Sequence, residues 1–462
     1  MNKRIATVIA AGLLSASTFS LAETPQNVIL IIGDGMDDQQ ISIARNYLVG
    51  SQGRLTLDAM PVRSTAQVLT VDNDDPNKPV YVADSANSAT SLATGVITSR
   101  GRIATTAKTD QSITTIIEMA QQAGLKTGIV STASVTDATP ASFIAHIDKR
   151  FCEDPSMMID GLMHGRFPIE CESYTKANGR SGSISEQLAA SNVDVILGGG
   201  MQHFDIAAEA SDKTVLQQAV DNGFNIVTSV AELENANNDS KLLGLFSPST
   251  MPTLMRGENG RIAEAPEKSV MNHIYKYLGE ITPPPVMICE DNPKFASMPT
   301  MKQMTDAAIS HLDSNQGFFL MIESASIDKA SHGRNACGSI GEVQQLNAAL
   351  DSALAYAETS PNTLIIVTAD HGQAAQMIPE VSLFSNAAYG GLPAATPGLI
   401  ARIKTPEGSI MGVNYATNES FAEEHTGVNV PVFANIVGQD VIAPMITQPD
   451  IFTITANHLG LK

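Results

Sequence analysis

The chain is poor in positive charge. Its 462 residues include 28 Lys and Arg against 48 Asp and Glu, which gives a formal net charge of −20 at pH 7. A surface of that sign repels nucleic acid and anionic lipid, so we expect neither as a partner. It does not exclude a small anionic substrate, because a few cations can reverse the potential inside one pocket.

Long apolar runs are absent beyond the N-terminus, so no later segment is long enough to span a bilayer. Residues 1–22 start with Lys3 and Arg4, continue with an apolar stretch and end in small residues, the pattern of a secretory signal peptide. A retained anchor is disfavoured because the stretch is short and interrupted by polar residues. We predict cleavage after Ala22. The exported residues 23–462 are enough for one large α/β domain or two to three smaller ones.

Cysteine is scarce, and tryptophan is absent. No C-x-x-C pair occurs, which disfavours a zinc–thiolate site. An oxidising compartment would pair the four cysteines. Sequence order suggests Cys152 with Cys171 and Cys289 with Cys337, although three connectivities are possible in principle. With 43% hydrophobic residues, the chain can still bury a large core.

Continuous apolar runs bounded by turns predict the strands of the fold. Helical patterns lie between them, one with Ser112 as N-cap and Gly124 as its stop, another over 343–358. Strands that are apolar throughout, without alternating polar residues, and that are separated by helices indicate an α/β fold with a mostly parallel sheet covered on both faces. The predicted strands are 27–33, 126–132, 194–200, 317–324 and 363–370.

Four of these strands end in, or lead to, acidic residues. In a parallel sheet the functional groups gather beyond the carboxyl ends of the strands, and carboxylates meeting there repel one another unless cations lie between them. Any one of them alone is more often a turn or helix cap. Their coincidence at four strand ends favours a metal site. The residues are Asp34, Asp137 with Thr139, Glu323, and Asp370 with His371.

Two further segments offer metal ligands. Asp328 and His332 are four residues apart, so on a helix they lie on one face and could hold one ion between them. His425 lies in a polar stretch, EEHTG, that a loop could bring back to the same place. Four other histidines have no acidic residues in a ligand-like pattern around them and are assigned to the surface or the core: His203, His273, His311 and His458. His164 lies between two cysteines and is left unassigned.

Ser85, in ADSANSAT (83–90), lacks the G-x-S-x-G pattern of a histidine-activated serine. A metal ion could instead lower the pKa of its hydroxyl and hold the alkoxide. For ADSANSAT alone, a small-residue helix start packed on a sheet is an equally simple interpretation.

Six motifs together resemble those of bacterial alkaline phosphatases, in the same order and over nearly the whole mature chain. The resemblance implies a three-layer fold with a large, mostly parallel central sheet, hydrolysis of small phosphate monoesters, a periplasmic location and a homodimer. It also implies that residues 23–462 form one domain of this family, with surface excursions near 151–181 and 374–422. The motifs are GDGM (33–36), ADSANSAT (83–90), STASVTDATPASFIAHIDKR (131–150), ESASIDKASH (323–332), TADHG (368–372) and EEHTG (423–427).

The resemblance also implies two zinc ions and one magnesium ion. Nitrogen and carboxylate ligands suit zinc, whereas an oxygen shell with waters suits magnesium. The first zinc is expected on Asp328, His332 and His425, and the second on Asp34, Asp370 and His371, with Ser85 as a further ligand and as the nucleophile that forms a phosphoserine. Magnesium is expected on Asp34, Thr139 and Glu323, with Asp137 bound through water.

Arg150 matches the arginine that binds phosphate in this family, and Asp84 matches the residue that orients it. A guanidinium donates two parallel hydrogen bonds to two phosphate oxygens, which a lysine cannot reproduce. Lys329 is expected to pair with Asp137 near the phosphate, as in the enterobacterial enzymes.

Two positions depart from the enterobacterial pattern. Gly372 stands where those enzymes have a histidine that supports a metal ligand, and Ser331 stands where they have an aspartate. Such supporting groups tune metal affinity, so we expect altered zinc affinity or turnover without the loss of a ligand.

Three other functions remain open as alternatives. A sulfatase needs Cys or Ser followed by x-Pro-x-Arg, and the residues after Ser85 lack it. Phosphodiesterases of this superfamily typically use threonine and lack the arginine, so they fit less well, although diesterase side activity is compatible. An exported metal- or phosphate-binding protein without catalysis is the alternative from a different class.

Overall fold

A computed structural model describes residues 26–163, 166–275, 279, 281–380 and 397–462. The predicted signal peptide and His164 lie outside the described residues.

Ten of the strands form one large sheet, and the others form small ribbons around it. In chain order the strands are Asn27–Gly33 (β1), Val62–Gln67 (β2), Thr70–Val71 (β3), Pro79–Val80 (β4), Lys126–Ser134 (β5), Leu162–Met163 (β6), Phe167–Pro168 (β7), Val195–Gly199 (β8), Phe224–Val227 (β9), Lys241–Leu245 (β10), Met255–Gly257 (β11), Glu267–Lys268 (β12), Ile281–Thr282 (β13), Cys289–Asp291 (β14), Phe318–Ser324 (β15), Thr363–Ala369 (β16), Gln376–Ile378 (β17), Leu399–Lys404 (β18), Ile410–Tyr415 (β19), Val430–Ala434 (β20) and Met445–Thr447 (β21).

The α-helices lie between and around these strands. They are Asp38–Leu48 (α1), Ser85–Thr94 (α2), Ile116–Gln122 (α3), Ala138–Ala141 (α4), Pro155–Met158 (α5), Ile184–Ala190 (α6), Val215–Asp221 (α7), Val230–Glu234 (α8), Val270–Ile274 (α9), Met301–Leu312 (α10), Ser326–His332 (α11), Ala336–Thr359 (α12) and Gln448–His458 (α13). Among the described residues, no helix combines the length and the apolarity that crossing a membrane would require.

The large sheet has the order β21-β2-β20-β16-β1-β15-β5-β8-β10-β9. Only β20 is antiparallel to its neighbours, and all other strand pairs in the sheet are parallel. The central strands β1, β15 and β16 are buried along their whole length, as expected for strands covered on both faces.

Helices cover this sheet in two groups. Helices α10 and α12 pack against the central strands, and α1 packs on α12. Helices α3, α4 and α13 form a second group on strands of the same sheet, and α2 packs on all three of them. The result is the three-layer α/β architecture with a mostly parallel sheet that the sequence predicts.

The register of the three central strands brings their carboxyl ends to one level. Ile32 of β1 lies opposite Glu323 of β15 and Thr368 of β16. Asp34 and Asp370 each follow within two residues of these positions, so the acidic strand ends meet at one edge of the sheet as expected.

All five predicted strands are present, with ends that shift by no more than two residues. The predicted helix at 343–358 is the C-terminal part of the longer α12. The prediction of Ser112 as a helix cap is wrong. Thr115 caps α3 instead, because its side chain and that of Glu118 bond each other's backbone N–H groups, while Ser112 pairs with Thr105 in a β-bridge.

Both predicted disulfides are present, Cys152 with Cys171 and Cys289 with Cys337. Their Cα–Cα distances of 5.8 Å and 5.4 Å fall in the normal range for such bonds. The first bond closes a loop that begins two residues after Arg150, within the excursion expected at 151–181.

In the other expected excursion, 374–422, strands β17, β18 and β19 form a separate three-stranded antiparallel sheet. Residues 381–396 lie outside the described residues. Treating both segments as excursions of a single domain remains a prediction.

Helix α3 is also held by His146, which the sequence analysis passed over. His146 Nε2 lies 3.0 Å from Glu118 Oε1. Burial lowers the pKa of His146, but Glu118 and the Ala104 carbonyl outweigh it and raise the pKa above its usual value. Burial raises the pKa of Glu118, but His146 and Thr115 hold it below its usual value.

This pair should stabilise the fold most between about pH 4.5 and pH 6.5, the usual pKa values of its two groups. The Glu118 contribution is lost as the pH falls through its lowered pKa, and the His146 contribution is lost as the pH rises through its raised pKa. Since the Glu118 side chain is 36% exposed, solvent limits the coupling to about 0.5 kcal/mol. A double-mutant cycle with H146N and E118Q, measured by urea unfolding at about pH 5.5 and about pH 8.5, should show coupling at the lower pH only.

Candidate active site

The residues expected at the first zinc site lie together. Helix α11 carries Asp328 and His332 on one face, and a loop brings His425 against them. His332 Nε2 lies 3.0 Å from His425 Nε2 and 3.3 Å from Asp328 Oδ2. His425 Nε2 lies 3.4 Å from Asp328 Oδ1. Two ring nitrogens and a carboxylate therefore converge on one point.

Hydrogen bonds to backbone carbonyls fix how the rings are oriented. His332 Nδ1 lies 2.5 Å from the Glu423 carbonyl oxygen, His425 Nδ1 lies 2.9 Å from that of Ala83, and His371 Nδ1 lies 3.2 Å from that of Gly372. A carbonyl only accepts, so each Nδ1 must donate its proton. In a neutral ring this leaves the Nε2 lone pair free, as in histidines that bind metals.

The residues expected at the second zinc site also meet. His371 Nε2 lies 3.3 Å from both Asp34 Oδ1 and Asp370 Oδ2. Both oxygens are buried and neither has a hydrogen-bond partner among the described residues. The other oxygen of Asp370 accepts from the backbone N–H groups of Gly35 and His371, which aims the free oxygen at the ring. Buried carboxylate oxygens without donors are what a cation would satisfy.

The residues expected around magnesium lie at the carboxyl ends of neighbouring strands. Glu323 is the next-to-last residue of β15, and its carboxylate accepts a hydrogen bond of 2.5 Å from Ser131 of β5. Thr139 Oγ1, in α4, is buried and has no hydrogen-bond partner among the described residues. Burial, followed by the charge of Asp137, raises the pKa of Glu323 to about 8. An oxygen-rich position of this kind suits a hard cation.

Electrostatics at the sheet edge favour a positive ion. Burial, followed by the charges of Asp370, Asp328 and Glu323, raises the pKa of Asp34 well above its usual value. Burial lowers the pKa of His425, but the Asp328 carboxylate outweighs it and raises the pKa to about 9. A cation would stabilise the ionised carboxylates and take the place of the proton on the ring.

Ser85 is the first residue of α2, directly after its N-cap Asp84. The Ser85 hydroxyl oxygen lies 3.2 Å from His371 Nε2, so it borders the second cluster. The whole of α2 is buried, and its residues are small enough for close packing. The helix start places Ser85 where the partial positive charge of the N-terminal N–H groups favours an anion.

The expected phosphate-binding side chains form one network. Arg150 donates to Asp84 Oδ2 at 3.3 Å and to Asp137 Oδ1 at 3.1 Å, and Lys329 donates to Asp137 Oδ2. Burial lowers the pKa of Arg150, but Asp137 and Asp84 outweigh it and raise the pKa above its usual value. Burial raises the pKa of Asp137, but Lys329 and Arg150 hold it well below its usual range. The guanidinium is thus held in place by Asp137 and by Asp84, the residue before Ser85, and remains charged.

The residue that supports Asp328 is one the sequence analysis missed. Gln373 is buried, and its Nε2 donates to Asp328 Oδ1 at 2.6 Å. The sequence analysis placed the missing supporting histidine at Gly372. The structure leaves no room for a side chain at that position. A Cβ there would lie 2.3 Å from the Val428 side chain and 2.8 Å from Thr426 Oγ1. In the sequence, the only indication of this supporting role is that Gln373 directly follows the TADHG motif.

Ser331 is buried on α11, the helix that carries Asp328 and His332. Its hydroxyl donates to the Ile327 carbonyl of the same helix and accepts from Gln40 Nε2 of α1. Ser331 therefore links α11 to α1.

His203, assigned to surface or core, is buried. Its Nδ1 lies 2.7 Å from Asp154 and its Nε2 lies 3.3 Å from Glu153, two acidic partners that the sequence pattern did not indicate. Glu153 in turn accepts from the hydroxyl of Thr136, the residue before Asp137. These partners are far apart in sequence, so the spacing of residues gave no sign of the contact.

Comparison with known proteins agrees with this geometry. The alkaline phosphatase family model matches residues 25–396. The alkaline phosphatase of Escherichia coli K12 is 38% identical over 460 residues, which cover 96% of this chain and 88% of that protein. The streptomycin-6-phosphate phosphatase of Streptomyces griseus is 35% identical over 478 residues, which cover 100% of this chain and 97% of that protein.

Solved structures show the same fold at lower identity. The alkaline phosphatase from the Antarctic bacterium TAB5 has a TM-score of 0.64 at 23% identity, with 95% of this chain and 98% of that chain covered. The Thermus thermophilus alkaline phosphatase has a TM-score of 0.66 at 18% identity, with 98% and 96% covered.

A mostly parallel sheet whose carboxyl edge gathers carboxylates and histidines beside a serine and an arginine defines a metal-binding phosphatase. The chain belongs to the alkaline phosphatase family. It is therefore a hydrolase that acts on phosphate monoesters.

Proposed function

We propose that the protein hydrolyses phosphate monoesters through a phosphoserine on Ser85, with two zinc ions and one magnesium ion in the site. The observation that supports this most strongly is the position of the Ser85 hydroxyl, 3.2 Å from His371 Nε2 at the start of α2. The unpartnered oxygens of Asp34, Asp370 and Thr139 fit metal ions, because each is buried without a hydrogen-bond partner among the described residues.

The proposed ligands follow the clusters. Zinc would bind at Asp328, His332 and His425, and at Asp34, Asp370 and His371; magnesium would bind at Asp34, Thr139 and Glu323, with Asp137 through water. When bound, such ions lower the pKa of a hydroxyl or water and neutralise charge on the phosphoryl group.

Ser85 Oγ attacks phosphorus, a P–O bond to the serine forms, and the hydroxyl proton passes to solvent water. The bond from phosphorus to the departing alcohol oxygen breaks, and that oxygen takes a proton from water to leave as the alcohol. Water then attacks the phosphoserine, releases inorganic phosphate and restores the serine. Each displacement inverts phosphorus, so two of them give retention overall. Arg150 holds two phosphate oxygens, and the N–H groups at the start of α2 face the same charge.

Hydrolysis of p-nitrophenyl phosphate by the purified mature chain tests the proposal, before and after chelation and with zinc and magnesium added back. Loss of activity on chelation and its return with zinc is expected. Bis-p-nitrophenyl phosphate serves as the diester control and should react far more slowly. Metal-loaded protein that binds phosphate without exchanging its oxygens with water would show a binding protein instead.

We further infer that residues 23–462 act as a periplasmic homodimer, which rests on the leader pattern and on the resemblance. N-terminal sequencing of the exported protein should begin at Glu23, and sedimentation should give twice the mass of the mature chain.

Arg150→Lys should raise KM for p-nitrophenyl phosphate by roughly tenfold, because an ammonium replaces a two-pronged contact worth about 1–2 kcal/mol. Inhibition by inorganic phosphate should weaken by the same factor. Arg63→Lys is the matched control, since Arg63 forms an exposed ion pair with Asp38 and lies over the Phe433 ring, and neither contact involves a proposed site residue. Equal phosphate affinity in the Arg150 variant and the wild type would remove Arg150 from substrate binding.

A further inference from the structure

A buried ion pair joins the two segments that carry His332 and His425, and the proposed mechanism makes no use of it. Arg334 Nε donates to Glu423 Oε1 at 2.6 Å. Arg334 is 8% exposed and Glu423 is 1% exposed. Two charges are rarely removed from water together, because desolvation is costly unless every remaining donor and acceptor has a partner.

Here each remaining side-chain nitrogen and oxygen of the pair has a partner. Arg334 also donates to the carbonyl oxygens of Ser420, at 2.7 Å, and Phe421, at 3.4 Å. The second Glu423 oxygen accepts from the backbone N–H of Thr417 at 2.9 Å and from its hydroxyl at 2.6 Å. Burial raises the pKa of Glu423, but Thr417 and Arg334 outweigh it and hold the pKa below its usual value.

The same two residues lie next to the zinc-site histidines. Arg334 is two residues after His332, and Glu423 is two residues before His425. The backbone of Glu423 is bonded to His332 in both directions, since His332 Nδ1 lies 2.5 Å from its carbonyl and its N–H donates to the His332 carbonyl at 3.2 Å. The ion pair therefore fixes the carbonyl that orients the His332 ring.

His425 needs such support because it lies in a loop between β19 and β20, outside any helix or strand. Its ring Nδ1 lies 2.9 Å from the Ala83 carbonyl, and its other ring contacts are to the site residues His332, Asp328 and His371 themselves. A metal ligand must be held to within about 0.5 Å for tight binding. A loop fastened by five hydrogen bonds to one charged pair can meet that requirement, whereas a free loop would have to be ordered each time an ion binds.

We propose that Arg334 and Glu423 form a positioning pair, which preorganises His332 and His425 to bind zinc. This inference rests on the proposed function, because it takes those two histidines as zinc ligands. Neither residue touches substrate or metal in this role, and both act through the histidines.

The test is zinc binding by metal-free protein, measured by competition with a chromophoric chelator, for the wild type and for R334M. R334M should bind the first zinc roughly 10- to 100-fold more weakly, the usual effect of removing a group that supports a ligand. Cobalt loaded into the same site should show a changed visible absorption spectrum, since the spectrum reports ligand geometry. R334K should recover part of the affinity, because an ammonium keeps the charge but cannot bond Glu423 and both carbonyls at once.

The matched control is R45M, which breaks the two-bond contact of Arg45 with Asp58 on α1, away from the histidines. It should lose thermal stability while keeping the zinc affinity and cobalt spectrum of the wild type. If R334M does not fold, E423Q takes its place, since it keeps the side-chain shape and an oxygen for Thr417 while removing the charge. We expect E423Q to weaken zinc binding as well.

Zinc affinity within twofold of the wild type and an unchanged cobalt spectrum, in whichever of R334M and E423Q folds, would overturn the positioning role alone. H425A separates this result from a failure of the proposed function. If H425A binds zinc as tightly as the wild type, His425 is not a ligand, and both the proposed first zinc site and the positioning pair are wrong.

Discussion

Ser85→Ala should lower kcat for p-nitrophenyl phosphate by roughly three orders of magnitude or more, a barrier increase of about 4 kcal/mol. The substitution removes the atom that is proposed to form the bond to phosphorus, and little else changes. The Ser85 backbone still begins α2, and Asp84 still caps the helix through its contact with the Asn87 N–H. Arg150 keeps both carboxylate partners, so phosphate binding should persist while turnover fails.

Two measurements separate the covalent route from direct attack by water. Acid quenching after brief exposure to labelled phosphate or substrate should leave label on the wild type and none on the Ser85 variant. Ser91→Ala is the matched control, because Ser91 is buried in the same helix and bonds only to helix and turn carbonyls. Turnover of the Ser85 variant at the wild-type level, or retention of labelled phosphate, would rule out the phosphoserine.

The sequence was sufficient to predict those strands and helices whose own residue pattern reveals them. A run such as that of β1 is unalternated and apolar because both of its faces are buried, so its pattern alone predicts a central parallel strand. The parallel register then brings the acidic residues at the ends of β1, β15 and β16 level with one another. The spacing of Asp328 and His332 likewise matched one face of a helix.

What the sequence could not reveal depends on contacts between distant segments. Strand β20 reverses the sheet direction, and its apolar run does not show that it lies between β16 and β2. Gln373 reaches Asp328 across 45 residues, and Arg334 reaches Glu423 across 89. A glutamine or an arginine can be exposed to solvent or buried in support of another side chain. The sequence does not distinguish the two, because the choice depends on which distant segment packs against it.

Asp34→Asn should have the second large effect, a fall in kcat/KM of roughly a thousandfold or more, equivalent to about 4 kcal/mol. Asp34 stands at the end of the central strand β1, and it is the only residue assigned to both the second zinc and the magnesium. An amide offers one oxygen and no charge, so the variant should hold less metal at both places. Metal analysis of dialysed protein should show loss of magnesium and of one zinc.

The thermal stability of the metal-free Asp34 variant should rise although its activity falls. This difference separates the loss of a metal ligand from damage to the fold. In metal-free protein Asp34 is buried among Asp370, Asp328 and Glu323, so removing its charge relieves repulsion and should raise Tm. Zinc should then stabilise the wild type far more than the variant, because only the wild type gains a full set of ligands. Asp37→Asn is the matched control: asparagine can still accept from the N–H groups of Gln39 and Gln40 at the start of α1, so metal content should not change. A metal-free Asp34 variant with a lower Tm than the wild type would show that the carboxylate supports the fold rather than the ions.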